Sequence, residues 1–243
     1  MNPSSDNLVI GKGIAAFGDP LMDFGEISDF AVSVAIETLP FYSNRGGLKK
    51  KVIDPNISVD PTFGFTVHEM SVENIGMYTL GERTQVSQIA QSDGSLEISL
   101  KKGAWYDLGY RNLTTVTIPS GTAGVDFIIY ATLGMIFIPH SSTLTEGTVT
   151  VTFSAEALTY ERVKLYKQTQ LTGPFMFMAD PPIGTSMQGG KLYWPKVSLK
   201  PSGDFGLISD EYLTFAMEGS VLSDDANNPD TPYGTFDLPQ MTE

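Results

Sequence analysis

The chain has 243 residues, 41% apolar and 18% charged, with a formal net charge of −13 and no cysteine. That length suits one large β domain or two small ones with a sizeable core, and the acidic balance argues against wrapping nucleic acid, whose phosphates need clustered Lys and Arg. Lack of cysteine excludes disulfides and thiolate metal sites, the opening MNPSSDNLV lacks the basic-then-apolar pattern of a secretory signal, and the longest apolar stretch, 125–138, is broken by Asp126, Thr132 and Gly134 and cannot span a bilayer.

Turn signals such as Gly18-Asp19-Pro20, Ser92-Asp93-Gly94 and Pro201-Ser202-Gly203-Asp204 punctuate the chain. Short alternating segments between polar turns predict an all-β sandwich or barrel. The first strands are expected at 8–10 and 14–17. Gly11 and Gly13 read as a bend, because the third glycine of a dinucleotide loop falls too late and no helix pattern follows. In 30–37, Phe30, Val32, Val34 and Ile36 share one face, while Ala31, Ser33, Ala35 and Glu37 share the other. A period of two predicts a half-buried strand.

A long polar loop is expected over 39–58, with Gly46, Gly47 and the lysines Lys49, Lys50 and Lys51. A second alternating strand, 57–67, carries Phe63, Phe65 and Val67. One helix is predicted over 72–80. Ser71 caps it, Glu73 favours its positive end, and Gly81 stops it. Its packing positions are Ile75, Met77, Tyr78 and Leu80, whereas Gly76 costs about 1 kcal/mol against Ala. Further strands are expected at 83–90, 96–101, 115–119, 126–130, 135–138, 148–155, 162–166, 175–179, 191–199 and 212–222. The 148–156 segment repeats the two-faced pattern: Val149, Val151, Phe153 and Ala155 against Thr148, Thr150, Thr152, Ser154 and Glu156.

Catalytic and metal-binding patterns are weak. His68 and His140 lie in different elements, and no Gly-x-Ser-x-Gly elbow accompanies them. The acidic stretch 224–230 does not follow EF-hand spacing, since Pro229 replaces a ligand and the distal Glu is missing. These observations give no enzyme, cofactor or metal site. Beyond Lys200 there is no Lys or Arg, so the last part of the chain carries acidic charge alone.

The order of ETLPFYSNRGGLKKK, the phenylalanine-alternating strand, EMSVENIGMYTLG and later YWPKVSLKPSGDFGLISDEY resembles the major tail tube proteins of long-tailed bacteriophages. The resemblance covers about half the chain and implies a tail-tube-type β-sandwich or half-barrel with one short flanking helix. It further implies a single domain over 1–243, in which 39–58 reaches another subunit and 168–243 completes the domain or forms a small outward addition. Such subunits form hexameric rings that stack into a tube delivering the genome, in a virion tail assembled in the host cytoplasm. Their partners are other copies, the tape measure protein, the tail terminator and distal tail or baseplate proteins; DNA passes without specific binding, and no membrane is involved. On this reading Ser33, Glu37, Thr150, Thr152 and Glu156 face the lumen, while Gly46, Gly47, Lys49, Lys50 and Lys51 touch a neighbouring subunit. Two alternatives stand beside it. One is the inner tube of a contractile tail or a secretion-type tube. The other is a β-sandwich adhesin or carbohydrate-binding module, with Tyr193, Trp194 and Trp105 as aromatic platforms.

Overall fold

A computed structural model describes residues 12–180 and 189–238; the strand expected at 8–10 lies outside them. In chain order the elements are β1 (Gly13–Phe17), β2 (Met22–Asp23), β3 (Ile27–Thr38), β4 (Phe41–Ser43), β5 (Lys50–Ile53), β6 (Asn56–Val67), α1 (Val72–Tyr78), β7 (Glu82–Gln88), β8 (Gln91–Leu100), β9 (Trp105–Asp107), β10 (Leu113–Thr117), β11 (Ile128–Tyr130), β12 (Met135–Phe137), β13 (Gly147–Ala155), β14 (Leu158–Lys164), β15 (Leu171–Ala179), β16 (Gly190–Ser202), β17 (Phe215–Val221) and β18 (Thr235–Asp237). The fold is all-β with one short helix. The chain divides into two compact units, Met1–Arg83 with Val163–Glu243, and Thr84–Arg162. This replaces the single domain expected from sequence. The physical reason is that the inward-facing apolar residues form two separate clusters, one in each unit.

The first unit is built on an antiparallel sheet ordered β2-β1-β15-β16-β17-β6-β3, with β18 also paired to β16. Strands β15 to β18 of segment 168–243 therefore belong to this sheet, and the segment with its own core is the middle one. Alternation places Phe63, Phe65 and Val67 of β6 and Phe215, Met217 and Val221 of β17 inside. Trp194 and Val197 of β16 are both buried although three residues apart. A register shift between Gly173 and Phe175 of β15 makes this possible. Pro174 and Pro195, which cannot donate to a ladder, sit at this irregularity.

The core is aromatic. Phe63 lies 4.6 Å from Phe175 and 4.7 Å from Trp194, and Phe30 stacks on Phe177 at 4.5 Å between ring centroids. Such contacts add about 0.5–1.5 kcal/mol per pair to the burial of apolar area. Gly219 lies opposite Phe63, and a Cβ there would fall 2.3 Å from the Phe63 ring; the ring occupies the space a side chain would need.

Helix α1 begins as its sequence indicates. The Ser71 hydroxyl accepts from Asn74 N–H at 3.0 Å, and Glu73 in the first turn pairs with Arg83. It ends earlier than expected, with Thr79 as its cap. Leu80 lies beyond it in a left-handed conformation, φ 48°, and is half-buried. Met77 and Tyr78 pack on the first core. Ile75 is half-buried, and the buried helix positions are Asn74 and Gly76. The Asn74 amide donates to Phe24 O at 2.8 Å and Glu69 O at 3.0 Å, tying the helix to the chain before β3.

In the second unit β10-β13-β8 forms one antiparallel sheet and β11-β12-β9 another. Ile98, Val116, Val151 and Phe153 from the first meet Ile136 and Tyr106 from the second in one apolar cluster. Buried Asp126 accepts from Thr143 N–H, Thr143 O–H and Thr122 N–H at 2.8–2.9 Å. These donors hold its carboxyl below the usual range, chiefly through the backbone of Thr143 and Thr122.

Candidate functional site

Strands β3 and β6 form a long ribbon whose two halves differ. A bulge between Ser28 and Ala31 of β3, with Asp29 at φ 57°, turns Phe30 inward after Ile27. From there the register runs Val32↔Phe63, Val34↔Pro61 and Ile36↔Val59. Cross-strand partners share a face, so the apolar row that begins in the core continues through Val32, Val34, Ile36 and Val59. Phe63 is 3% exposed, but Val34 and Ile36 are each 54% exposed. The strand expected at 30–37 is thus half-buried only at its start, at Phe30, because the apolar face runs past the layer that covers it. Strand β3 also ends the sheet order, pairing with β6 alone among the described strands. Among the described residues its other edge pairs with no strand, over 12 residues without proline. Long, apolar, unblunted edges template pairing with another chain.

Beyond the ribbon, the polar loop expected over 39–58 contains a hairpin, β4 with β5, paired Phe41↔Ile53, Tyr42↔Lys51 and Ser43↔Lys50. Phe41, Tyr42, Val52 and Ile53 are strand formers that the lysines obscured in sequence. All four are exposed, as is Leu48. Gly46 and Gly47 form the tip with φ 92° and 78°, values that glycine adopts without steric cost. Lys51 pairs with Asp54 of the same chain; that carboxylate holds the Lys51 pKa up, and Lys51 holds the Asp54 pKa down. Lys49 and Lys50 extend into solvent.

The opposite face of the first sheet is polar and small. One register line joins Thr172↔Ser198, Ser198↔Ser220, Ser220↔Thr62 and Thr62↔Ser33 across five strands. The next joins Lys200↔Glu218, Glu218↔Gly64 and Gly64↔Ala31. Lys200 and Glu218 form an ion pair at 2.7 Å, and the lysine lowers the Glu218 pKa. The face is a shallow groove of about 440 Å³ whose lining includes Ser33, Thr62, Thr66 and Ser220. It offers hydroxyls, the Lys200–Glu218 pair and the carboxylate of Asp29. Alternation made Ser33 legible; the other four hydroxyls needed the strand order.

Residues 9–237 match the model of a family described as "Protein of unknown function UCP028589". The chain belongs to that family. No curated protein matches it.

The five lumen candidates are divided between the two units. Ser33 and Glu37 belong to the first unit, and Glu37 stands exposed opposite Ser58 on the outer ribbon. Thr150 and Thr152 lie on the exposed face of β13 in the second unit, in register with Glu97 and Ser95 of β8. Glu156 follows β13 and accepts from Asn112 Nδ2 at 3.2 Å, beside the start of β10. Trp194 is core and no platform, whereas Trp105 is half-exposed and lies 4.8 Å from Tyr130 and from Phe137.

His68 Nε2 is 2.9 Å from Ser28 Oγ, whose hydroxyl donates to Asp29 at 3.0 Å. Among the described residues no group of three or more His, Cys, Asp or Glu is placed to hold a metal ion, and no helix is long and apolar enough to cross a membrane.

Proposed function

We propose that this chain is a structural virion protein, a tail tube subunit that polymerises as stacked hexameric rings around a channel for the genome. The observation that carries the reading is the β3–β6 ribbon: a 12-residue edge strand with one edge unpaired among the described residues and an apolar face left open past the core. Fully burying a Val or Ile side chain contributes about 1.5–3 kcal/mol. A second copy paired along β3 would satisfy the strand's free backbone groups and set its own side chains beside Val32, Val34 and Ile36 on the same face. The hydroxyl row from Thr172 to Ser33 supplies a surface suited to a lumen, because it lacks the clustered cations that hold phosphates. Ser33 remains the best lumen residue on this reading. The tape measure protein, the tail terminator and distal tail proteins are the partners it implies, with no reaction catalysed.

A second reading, a carbohydrate-binding module, draws on the exposed Trp105 and Tyr130 of the second unit, with half-buried Phe137 beside Trp105. Electron microscopy of the purified chain and glycan binding separate the two. Rings or tubes without glycan binding support the tube, whereas glycan binding that Trp105→Ala abolishes, by a chain that never oligomerises, supports the module.

A further inference from the structure

Charge and exposed apolar side chains collect at the two opposite ends of the first sheet. At one end the β4–β5 hairpin carries Arg45, Lys49 and Lys50 beside exposed Leu48, Phe41 and Val52. The connection 203–214 between β16 and β17 carries Asp204, Asp210 and Glu211 with no Lys or Arg. Its Ile208 is 98% and its Tyr212 95% exposed, and Leu207 is exposed too. Its base is fixed: Phe205 packs on Tyr78 and Phe215, and Tyr78 O–H donates to Gly203 O at 3.0 Å.

The register places the two features far apart. Strand β6 starts beside the hairpin at Asn56 and ends at Val67, and Val67 pairs with Phe215, where the acidic connection re-enters the sheet. Eleven steps of about 3.3 Å put the two ends about 36 Å apart along the strand. That is several times the roughly 8 Å screening length at physiological salt, so the charges do not neutralise each other within one chain. Two complementary surfaces at opposite ends of a molecule make a heterologous contact, which repeats head to tail.

We propose that the basic hairpin of one copy docks on the acidic 203–214 connection of the next copy. Leu48 and Phe41 meet Leu207, Ile208 and Tyr212, while Arg45, Lys49 and Lys50 face Asp204, Asp210 and Glu211. The occupant is a second copy of this chain, since both halves of the match are on one sequence. The inference deepens the tube reading by naming the contact along the stacking direction, and it rests on that reading for its biological setting.

The cysteine-free sequence makes the test direct. Full-length Lys49→Cys and Glu211→Cys chains are prepared separately, mixed, and treated with a short bismaleimide cross-linker at low salt. The expected result is covalent dimer in the mixture and little in either chain alone, lost in 1 M salt. Arg45, Lys49 and Lys50 changed to Glu should weaken association at least about tenfold, and changing Asp204, Asp210 and Glu211 to Lys in the same chain should restore it. No cross-link in the mixture, or equal cross-linking within either single variant, overturns the docking. If microscopy shows rings or tubes while the mixture stays uncross-linked, the docking fails and the tube stands. If the mixture cross-links but no closed ring or tube forms, the docking stands and the tube fails.

Discussion

The inner and outer halves of the β3–β6 ribbon carry the same alternating pattern and meet opposite fates. Phe63, Phe65 and Val67 are buried against β15–β17, whereas Val32, Val34, Ile36 and Val59 lie open. Alternation says that a face is apolar; it does not say what covers it. Within one chain the inner half is explained by the core. The outer half requires a covering that the chain itself does not provide among its described residues.

The contrast can be broken most severely by truncation. Phe63→Ala should lower the free energy of unfolding by about 3–5 kcal/mol, and Val34→Ala by well under 1 kcal/mol, as is usual for a surface site. Chemical denaturation of the non-assembled chain measures both. Equal losses would mean the outer half is already packed.

Acid sensitivity separates a buried carboxylate from a ribbon one. Asp126 has its pKa lowered in the folded state by Thr143 and Thr122. A depressed pKa gives stability that is present above the unfolded value, near 3.8, and lost as pH falls through the lower folded value. The melting temperature of the wild type should therefore fall as pH drops below about 4. Asp126→Asn should melt lower at neutral pH and show less of that acid decline. Asp54→Asn, in the exposed hairpin, should leave the wild-type profile in place. A profile unchanged by Asp126→Asn would remove the anchor from the account.

Smaller still is the charge pair on the polar face. Lys200 and Glu218 have side chains 62% and 46% exposed, so Glu218→Gln should cost less than about 1 kcal/mol in denaturation. A larger loss would mark that face as part of the folding core.

Much of this was legible in the residues. Period-two alternation located β3, β6, β13 and the inner strands, and Ser71 marked the start of α1. Four features were not. The β4–β5 hairpin hid behind Lys49, Lys50 and Lys51, because charge on an exposed ribbon masks the β preference of Phe41, Tyr42, Val52 and Ile53. Leu80 looked like a helix position, but the helix ends at Tyr78 with Thr79 as its cap, and Leu80 follows with a left-handed backbone. Division into two units left no composition shift, since both are made of short strands with the same turns. The hydroxyl row likewise needed the pairing of Thr172, Ser198, Ser220, Thr62 and Ser33 across strands distant in sequence.

Val34→Lys puts the central claim to its most direct test. It places a charge on the outer apolar face without touching the core, so unfolding should change by no more than about 0.5 kcal/mol. Electron microscopy and sedimentation of matched samples should show rings or tubes for the wild type and folded monomer for Val34→Lys. A wild type that stays monomeric at every concentration, or a Val34→Lys chain that assembles as well as the wild type, would contradict the account.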